Sequence, residues 1–224
     1  MKRTFIGLCC LFFTSQLFAQ RSLPEYDFRL GLTAHPTLGW IKPETGKTNS
    51  VALGFSYGLL ADFNFAENYA FATGLTITTI NGKSTEVNVK PYYDGSGSQV
   101  AYDLKYKLQY IEIPLTLKLK TDKIGEIKWY GQFGLSNGFN IGAKQNASES
   151  GSGSKVIIEN KGISKQTNFY RAGLILGVGG EFDVSGNTSI TTGLTLNNGF
   201  TDIASDSDRK VRNHYIGLNF GVFF

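Results

Sequence analysis

Apolar and small or polar residues alternate with a period of two through segment after segment of this 224-residue chain. In a strand, successive side chains point to opposite faces, so each such segment has one apolar face and one polar face. Residues 51–65 carry Val51, Leu53, Phe55, Tyr57, Leu59, Ala61, Phe63 and Phe65 on one side and Gly54, Ser56, Gly58, Asp62 and Asn64 on the other. Similar segments are read at 28–41, 69–80, 100–120, 127–143, 169–182, 188–200 and 211–224. No apolar run near 20 residues follows the first 20, so any membrane crossing must be made by strands. Most segments exceed the roughly 9–11 residues that a tilted strand needs to span a bilayer.

The connections alternate in length. Residues 66–68, 121–126 and 183–187 are short joins, whereas 42–50, 81–99, 144–168 and 201–210 are longer. Short turns at one end and long loops at the other define an up-and-down antiparallel barrel. The stretch 146–154, Asn-Ala-Ser-Glu-Ser-Gly-Ser-Gly-Ser, has the composition of a mobile loop.

The start of the chain is different. Lys2 and Arg3 precede an apolar run from Phe5 to Phe18, and Ala19 comes before Gln20. This reads as a signal peptide over 1–20, followed by one domain over 21–224. Both cysteines, Cys9 and Cys10, lie in the signal, so disulfides do not stabilise the exported domain. The signal takes two of the 22 basic residues and none of the 18 acidic ones, which leaves 20 against 18, or +2. That bias is too small to argue for nucleic acid.

Alternation alone does not say which face is outside. A soluble eight-stranded barrel would turn its apolar face inward around a ligand. Three features favour an eight-stranded antiparallel transmembrane β-barrel with the apolar face in lipid. The other face is dominated by Gly, Ser, Thr and a few charges, which suits a polar lumen. Aromatics recur near strand ends (Trp40, Phe63, Phe65, Tyr69, Trp129, Phe182, Phe200), as interfacial girdles require. The last segment places Ile216, Leu218, Phe220, Val222 and Phe224 on one side and closes on an aromatic residue, the pattern of an outer-membrane strand read during assembly. Phe224 is therefore the expected assembly signal for the barrel-insertion machinery.

Segment four breaks this regularity. Tyr102, Leu104, Tyr106, Leu108 and Tyr110 share one parity, then Ile111, Ile113, Leu115, Leu117 and Leu119 share the other. A β-bulge near Tyr110-Ile111 is the expected repair, with the Tyr-rich part above or at the edge of the membrane.

The stretch Tyr110-Ile111-Glu112-Ile113-Pro114-Leu115, followed by alternating Leu and Lys, resembles the Tyr-Leu-Glu-Ile-Pro stretch of the PorT-like outer-membrane β-barrel family of Bacteroidetes. Ile111 stands where that pattern has Leu. The glycine-rich segment 173–181 and the final Phe224 are further echoes, and the likeness spans the exported chain. The resemblance implies an outer-membrane barrel without a cofactor. One branch of the family is linked to type IX protein secretion, and no motif here assigns the chain to that branch.

Residues that carry chemistry are few. With the apolar face outside, the lumen receives Arg29, Asp62, Glu112, Lys118, Lys128, Arg171 and Glu181. Buried charges need partners, so a paired polar plug is expected, and eight strands leave an interior just wide enough for side chains. His35 shares the lumen parity and His214 the opposite one, so they should not meet. No Ser-His or Cys-His pairing signals a nucleophile. Asp202, Asp206 and Asp208 lack the glycine and terminal Glu of a calcium loop. The reading is a non-enzymatic outer-membrane barrel with no cofactor or metal, structural or partner-binding in the envelope. Expected partners are outer-membrane lipids, lipopolysaccharide and envelope or secretion proteins. A lipid- or ligand-binding barrel, and after it a lipid-modifying enzyme, are the alternatives.

Overall fold

A computed structural model describes residues 28–89, 92, 100–151, 156–206 and 209–224. The signal-peptide reading over 1–20, and residues 152–154 of the low-complexity stretch, lie outside the described residues. The strands are β1 (Phe28–Pro43), β2 (Gly46–Ala66), β3 (Tyr69–Val87), β4 (Ala101–Ile124), β5 (Ile127–Glu149), β6 (Val156–Gly162), β7 (Tyr170–Ser185), β8 (Thr188–Gly199) and β9 (Val211–Phe223). Eight of them pair antiparallel in a ring, β1-β2-β3-β4-β5-β7-β8-β9, closed by β9 on β1. The closing register runs from Gly31 opposite Phe223 to Pro43 opposite Val211. Closure leaves no unpaired edge in the ring, as lipid requires.

Each of the eight predicted segments is a strand of the ring. The outer face matches lipid. Leu53 is 67 % exposed to the surroundings of the protein and Lys118 only 3 %, the reverse of a soluble protein. Cross-strand neighbours on this face form a continuous apolar belt: Leu32 with Leu59 and Val222, Leu194 with Val178 and Leu218, Leu115 with Leu135. The soluble alternative, with its apolar face inward, does not hold for this part of the wall.

Beyond the belt at the long-loop end the arrangement inverts. Ile41, Ile80, Leu104, Leu108, Ala143 and Val211 point inward and form a buried apolar core. Lys47, Lys83, Lys105 and Lys107 stand outside in water. This explains two departures from the expected connections. The join expected over 42–50 contracts to Glu44-Thr45, because β1 and β2 stay paired beyond the membrane. The joins expected over 81–99 and 144–168 begin as strand, with β3 reaching Val87 and β5 reaching Glu149. Residues 146–149 are therefore ladder and not mobile loop, and β6 adds a ninth strand along this part of β5.

The break in segment four has the same cause. On β4 the even residues face inward without interruption from Tyr102 to Lys118. What changes along β4 is the medium around its outer face, which is water beside Lys105 and Lys107 and lipid beside Ile111 to Leu119. No flip in β4 is needed. A bulge does occur at this height, but on the partner strand: Gln109 pairs with Gly142 and Tyr110 with Asn140, so Ile141 is the extra residue. It is β5 that exchanges its faces there, from Ser136 and Gly138 inside to Ala143 and Gln145 inside.

At the other end the turns are short. Gly125 (φ 66°) and Gly186 (φ 54°) adopt the left-handed conformation in the β4–β5 and β7–β8 hairpins, where a side chain would be strained.

Candidate functional site

The strand parities converge inside the barrel to build charged layers separated by a small cavity. The layer at the short-turn end follows directly from register. Arg29 lies opposite Asp62 on β1–β2, and Glu181 comes from β7 across the ring. Arg29 Nη2 is 3.0 Å from Asp62 Oδ2 and 3.0 Å from Glu181 Oε2, and its Nη1 donates to Ser189 at 3.3 Å. Lys118 Nζ donates to Asp62 at 3.0 Å and also to Glu181. Lys120 Nζ stands 3.5 Å from Asp62 and donates to Asn64 at 3.0 Å.

Three cations thus surround two carboxylates. The excess positive charge is met by aromatic faces: Lys118 Nζ lies 4.5 Å from the Tyr130 ring centre, and Arg29 Cζ lies 4.6 Å from that of Phe223. Isolated charges would be too costly to bury here, and mutual pairing in a low dielectric offsets that cost.

The second layer is centred on Arg171, the largest fully buried side chain, at 1 % exposure. Its Nη1 donates to Glu112 Oε1 at 3.2 Å, Nε to Asn213 Oδ1 at 2.6 Å, and Nη2 to Asn197 Oδ1 at 2.9 Å and to the Asn213 carbonyl at 3.1 Å. Glu112 also accepts from Tyr215 at 2.8 Å and Ser136 at 3.2 Å. The guanidinium fits because Gly199 lines its path: a Cβ there would sit 2.3 Å from the Asn213 carbonyl oxygen and 3.0 Å from Arg171 Nη2. In the same way Gly179 makes room for the Tyr130 hydroxyl, 2.5 Å from where its Cβ would be.

Between the layers lies a cavity of about 110 Å³, bordered by Asp62 and Lys118 on one side and Glu112 and Tyr215 on the other. Drug-sized ligand pockets run to roughly 300–1,000 Å³, so this space suits a few small molecules the size of water. His35 borders it and shares a hydrogen bond of 3.0 Å with Thr33.

Above the second layer, the apolar core of the long-loop end is capped by a third polar cluster. Glu86 accepts from Ser84 at 2.8 Å, Tyr106 at 2.8 Å and Arg209 Nε at 2.7 Å, and Arg209 also donates to the Tyr106 hydroxyl. Burial, and next the adjacent Glu86 carboxylate, push the Tyr106 hydroxyl well above the usual phenol range, so it remains a proton donor.

Six of the seven residues assigned to the lumen are thus placed in two groups, Arg29 with Asp62, Lys118 and Glu181, and Glu112 with Arg171. Lys128 is the correction. It shares the inward parity, opposite Glu181, but sits at the short-turn rim with its side chain 43 % exposed, 3.7 Å from Asp183. The strand ends there, so the lysine turns to water and the surface acid rather than paying the cost of burial. Lys120 takes its place in the first layer, and its shared parity with Lys118 was the available signal. Asn197, Asn213 and Tyr215 were legible by parity too. Arg209 was not, since it comes from a loop with no periodicity.

The histidines lie on opposite sides of the wall. His35 points into the lumen, and His214 stacks on Trp40 at 5.5 Å on the outer face. Among the described residues, no group of three or more His, Cys, Asp or Glu side chains is arranged to hold a metal ion. Asp208 lies outside the described residues.

A closed antiparallel ring, apolar where it meets lipid and polar and charge-paired within, defines a transmembrane β-barrel. The chain belongs to the family described as the outer membrane protein beta-barrel domain, whose match covers residues 18–205. It is accordingly an outer-membrane protein. No protein of curated function matches it in sequence. Among solved structures, the chain is similar to Neisserial surface protein A (16 % identity, 88 % of this chain and 95 % of that one, TM-score 0.45). It is also similar to the outer membrane protein OprG of Pseudomonas aeruginosa (10 % identity, 88 % and 95 %, TM-score 0.42). A third likeness is to Ail of Yersinia pestis, crystallised with the heparin analogue sucrose octasulfate (15 % identity, 87 % and 99 %, TM-score 0.33).

Proposed function

We propose that the protein is a non-enzymatic, non-conducting barrel that acts in the envelope through its outer surface, as a structural element or by binding partners. The observation that carries this reading is the sealed interior. Two charge-paired layers, an apolar core and the Glu86–Tyr106–Arg209 cluster succeed one another along the axis. The cavity between the first two is too small for a lipid or an ordinary metabolite, which speaks against the ligand-holding alternative. In this reading the short turns face the periplasm and the long-loop end, with β6 and the extended β2–β5, faces the cell exterior and offers the partner surface.

Planar-bilayer recordings test the seal: no large, stable conductance is expected, and a steady porin-like current would overturn the reading. His35→Ala and His214→Ala should leave lipid A composition unchanged. A His-dependent change in lipid A acylation would replace the non-enzymatic reading with a lipid-modifying one. A role accessory to type IX secretion is the narrower form suggested by the PorT-like stretch at Tyr110 to Leu115. Deletion of the gene should then deplete secreted proteins, and an unchanged secretome would remove that narrower form while leaving the barrel's structural role.

A further inference from the structure

The outer wall just beyond the lipid belt carries like charges in register. Lys83 of β3 lies directly opposite Lys105 of β4, and Lys107 of β4 lies directly opposite Lys144 of β5. All four are exposed on the outward face. With strands about 4.8 Å apart and alternate residues about 7 Å apart, their stems rise from one patch on the order of 10–15 Å across. Like charges placed directly opposite destabilise a sheet unless something of opposite sign lies over them.

Among the described residues, no carboxylate forms an ion pair with these lysines, whereas Lys123, Lys128 and Lys210 do have ion-pair partners. Asp103, the nearest acid along β4, is held by Thr85 at 2.5 Å and Asn49 at 3.2 Å. Glu159 of β6 borders the same groove as Lys83 and Lys105 without pairing with either. At the opposite rim the lysines are paired: Lys123 and Lys128 stand 3.4 and 3.7 Å from Asp183. The uncompensated charge therefore belongs to one rim.

Its height fits a particular layer. Lys107 is four residues beyond Ile111, the last apolar outward residue of β4. Four residues of a strand tilted by about 40° rise roughly 10 Å. Lysine stems snorkel back several Å toward the membrane. The ammonium groups of Lys107 and of Lys144 opposite it then fall at the polar headgroup layer, which adds roughly 5–8 Å on each side of the hydrocarbon, and those of Lys105 and Lys83 stand roughly 5 Å above them, at its outer edge.

We propose that Lys83, Lys105, Lys107 and Lys144 bind the phosphate groups of lipopolysaccharide in the outer leaflet. The inference rests on the outward orientation proposed above. Its test does not, because the binding is read in micelles.

The folded barrel in neutral detergent is titrated with lipid A carrying its phosphates, and bound lipid is counted by native mass spectrometry. Parallel titrations use dephosphorylated lipid A, inorganic phosphate and heparin. Replacing all four lysines by Gln should weaken binding of the phosphorylated lipid by about tenfold or more. Replacement by Arg should retain it. Heat-modifiable migration confirms that each variant is folded. Should the fourfold Gln variant not fold, K83Q/K105Q and K107Q/K144Q should each weaken binding severalfold. Unchanged affinity in the Gln variants, or equal affinity for dephosphorylated lipid A, overturns the proposal. Inorganic phosphate bound as tightly as the lipid would make this a free-anion site, and tighter binding of heparin would make it a site for a soluble polyanion. Either result also overturns it. Failure of any of these leaves the orientation standing, since that is decided by labelling on cells.

Discussion

Replacing Arg171 by Met should be among the most destabilising single changes in the lumen. The side chain is 1 % exposed and donates to Glu112, Asn197 and twice to Asn213. Removing one member of a buried ion pair typically costs 3–5 kcal/mol, because the other charge is left without its partner. Here Glu112 keeps Tyr215 at 2.8 Å and Ser136 at 3.2 Å, which places the expected loss near the lower end, about 3 kcal/mol. Glu112→Gln leaves Arg171 with three of its four bonds, all to neutral oxygens, and should cost about 2 kcal/mol.

The decisive quantity is the coupling. In the Arg171→Met, Glu112→Gln double variant no charge is left alone, so its cost should fall short of the sum of the singles by about 1–3 kcal/mol. Urea unfolding of barrels refolded into lipid vesicles, followed by the fluorescence of Trp40 and Trp129, measures all three. Losses that simply add would refute the claim that the layer is held as a pair. A loss below about 1 kcal/mol for Arg171→Met would refute the burial argument itself.

Other expectations follow from the facing of the wall. Leu115→Arg, halfway along the apolar part of β4, should cost roughly 2–4 kcal/mol, whereas Thr116→Ser in the lumen should cost little; comparable losses in urea unfolding would mean the faces are wrongly assigned. A tag inserted between Ser150 and Gly151 should be labelled on intact cells, and labelling only after permeabilisation would reverse the orientation. Phe224 donates its N–H to Leu30 at 2.9 Å and keeps its ring on the lipid face, so deleting it should reduce folded, heat-modifiable barrel in the outer membrane; unchanged levels would remove its role in assembly.

Most of the wall was legible because the barrel obeys one local rule. A period of two, together with lipid outside, located all eight ring strands. It also located Arg29, Asp62, Glu112, Lys118, Arg171 and Glu181. The rule failed where its premise about the medium failed. Lys128 has lumen parity, yet at the rim water is nearer than the lumen partners. Arg209 belongs to a loop, where no periodicity exists to read. Residues 42–50 and 144–149 read as loops because neither of their faces is a run of apolar residues, yet outside Glu44-Thr45 their backbones stay paired in strands beyond the membrane.

The change along β4 contains the general point. Between Tyr102 and Lys118 the backbone alternates without interruption, and the inward set passes from Tyr, Leu, Tyr, Leu and Tyr to Glu, Pro, Thr and Lys. The outward set passes the other way, from Asp103, Lys105 and Lys107 to Ile111, Ile113 and Leu115. An apolar side chain is buried by the core when water surrounds the wall and by lipid when the membrane does, so the same strand serves both media by exchanging which parity is apolar. A phase change in hydrophobicity with no phase change in the backbone therefore marks where the bilayer ends. By this criterion the outer boundary crosses β4 near Gln109. The bulge at Ile141, which turns β5's faces over at the same height, lies on that boundary too. On β5 the exchange is made by the backbone and on β4 by the sequence. Deleting Ile141 should therefore remove the bulge without turning any side chain over: Asn140 stays in, Gly142 stays out, and Ala143, Gln145 and Ala147 remain inside opposite Leu108, Tyr106 and Leu104. Folded, heat-modifiable barrel should persist, and its loss would refute this pairing.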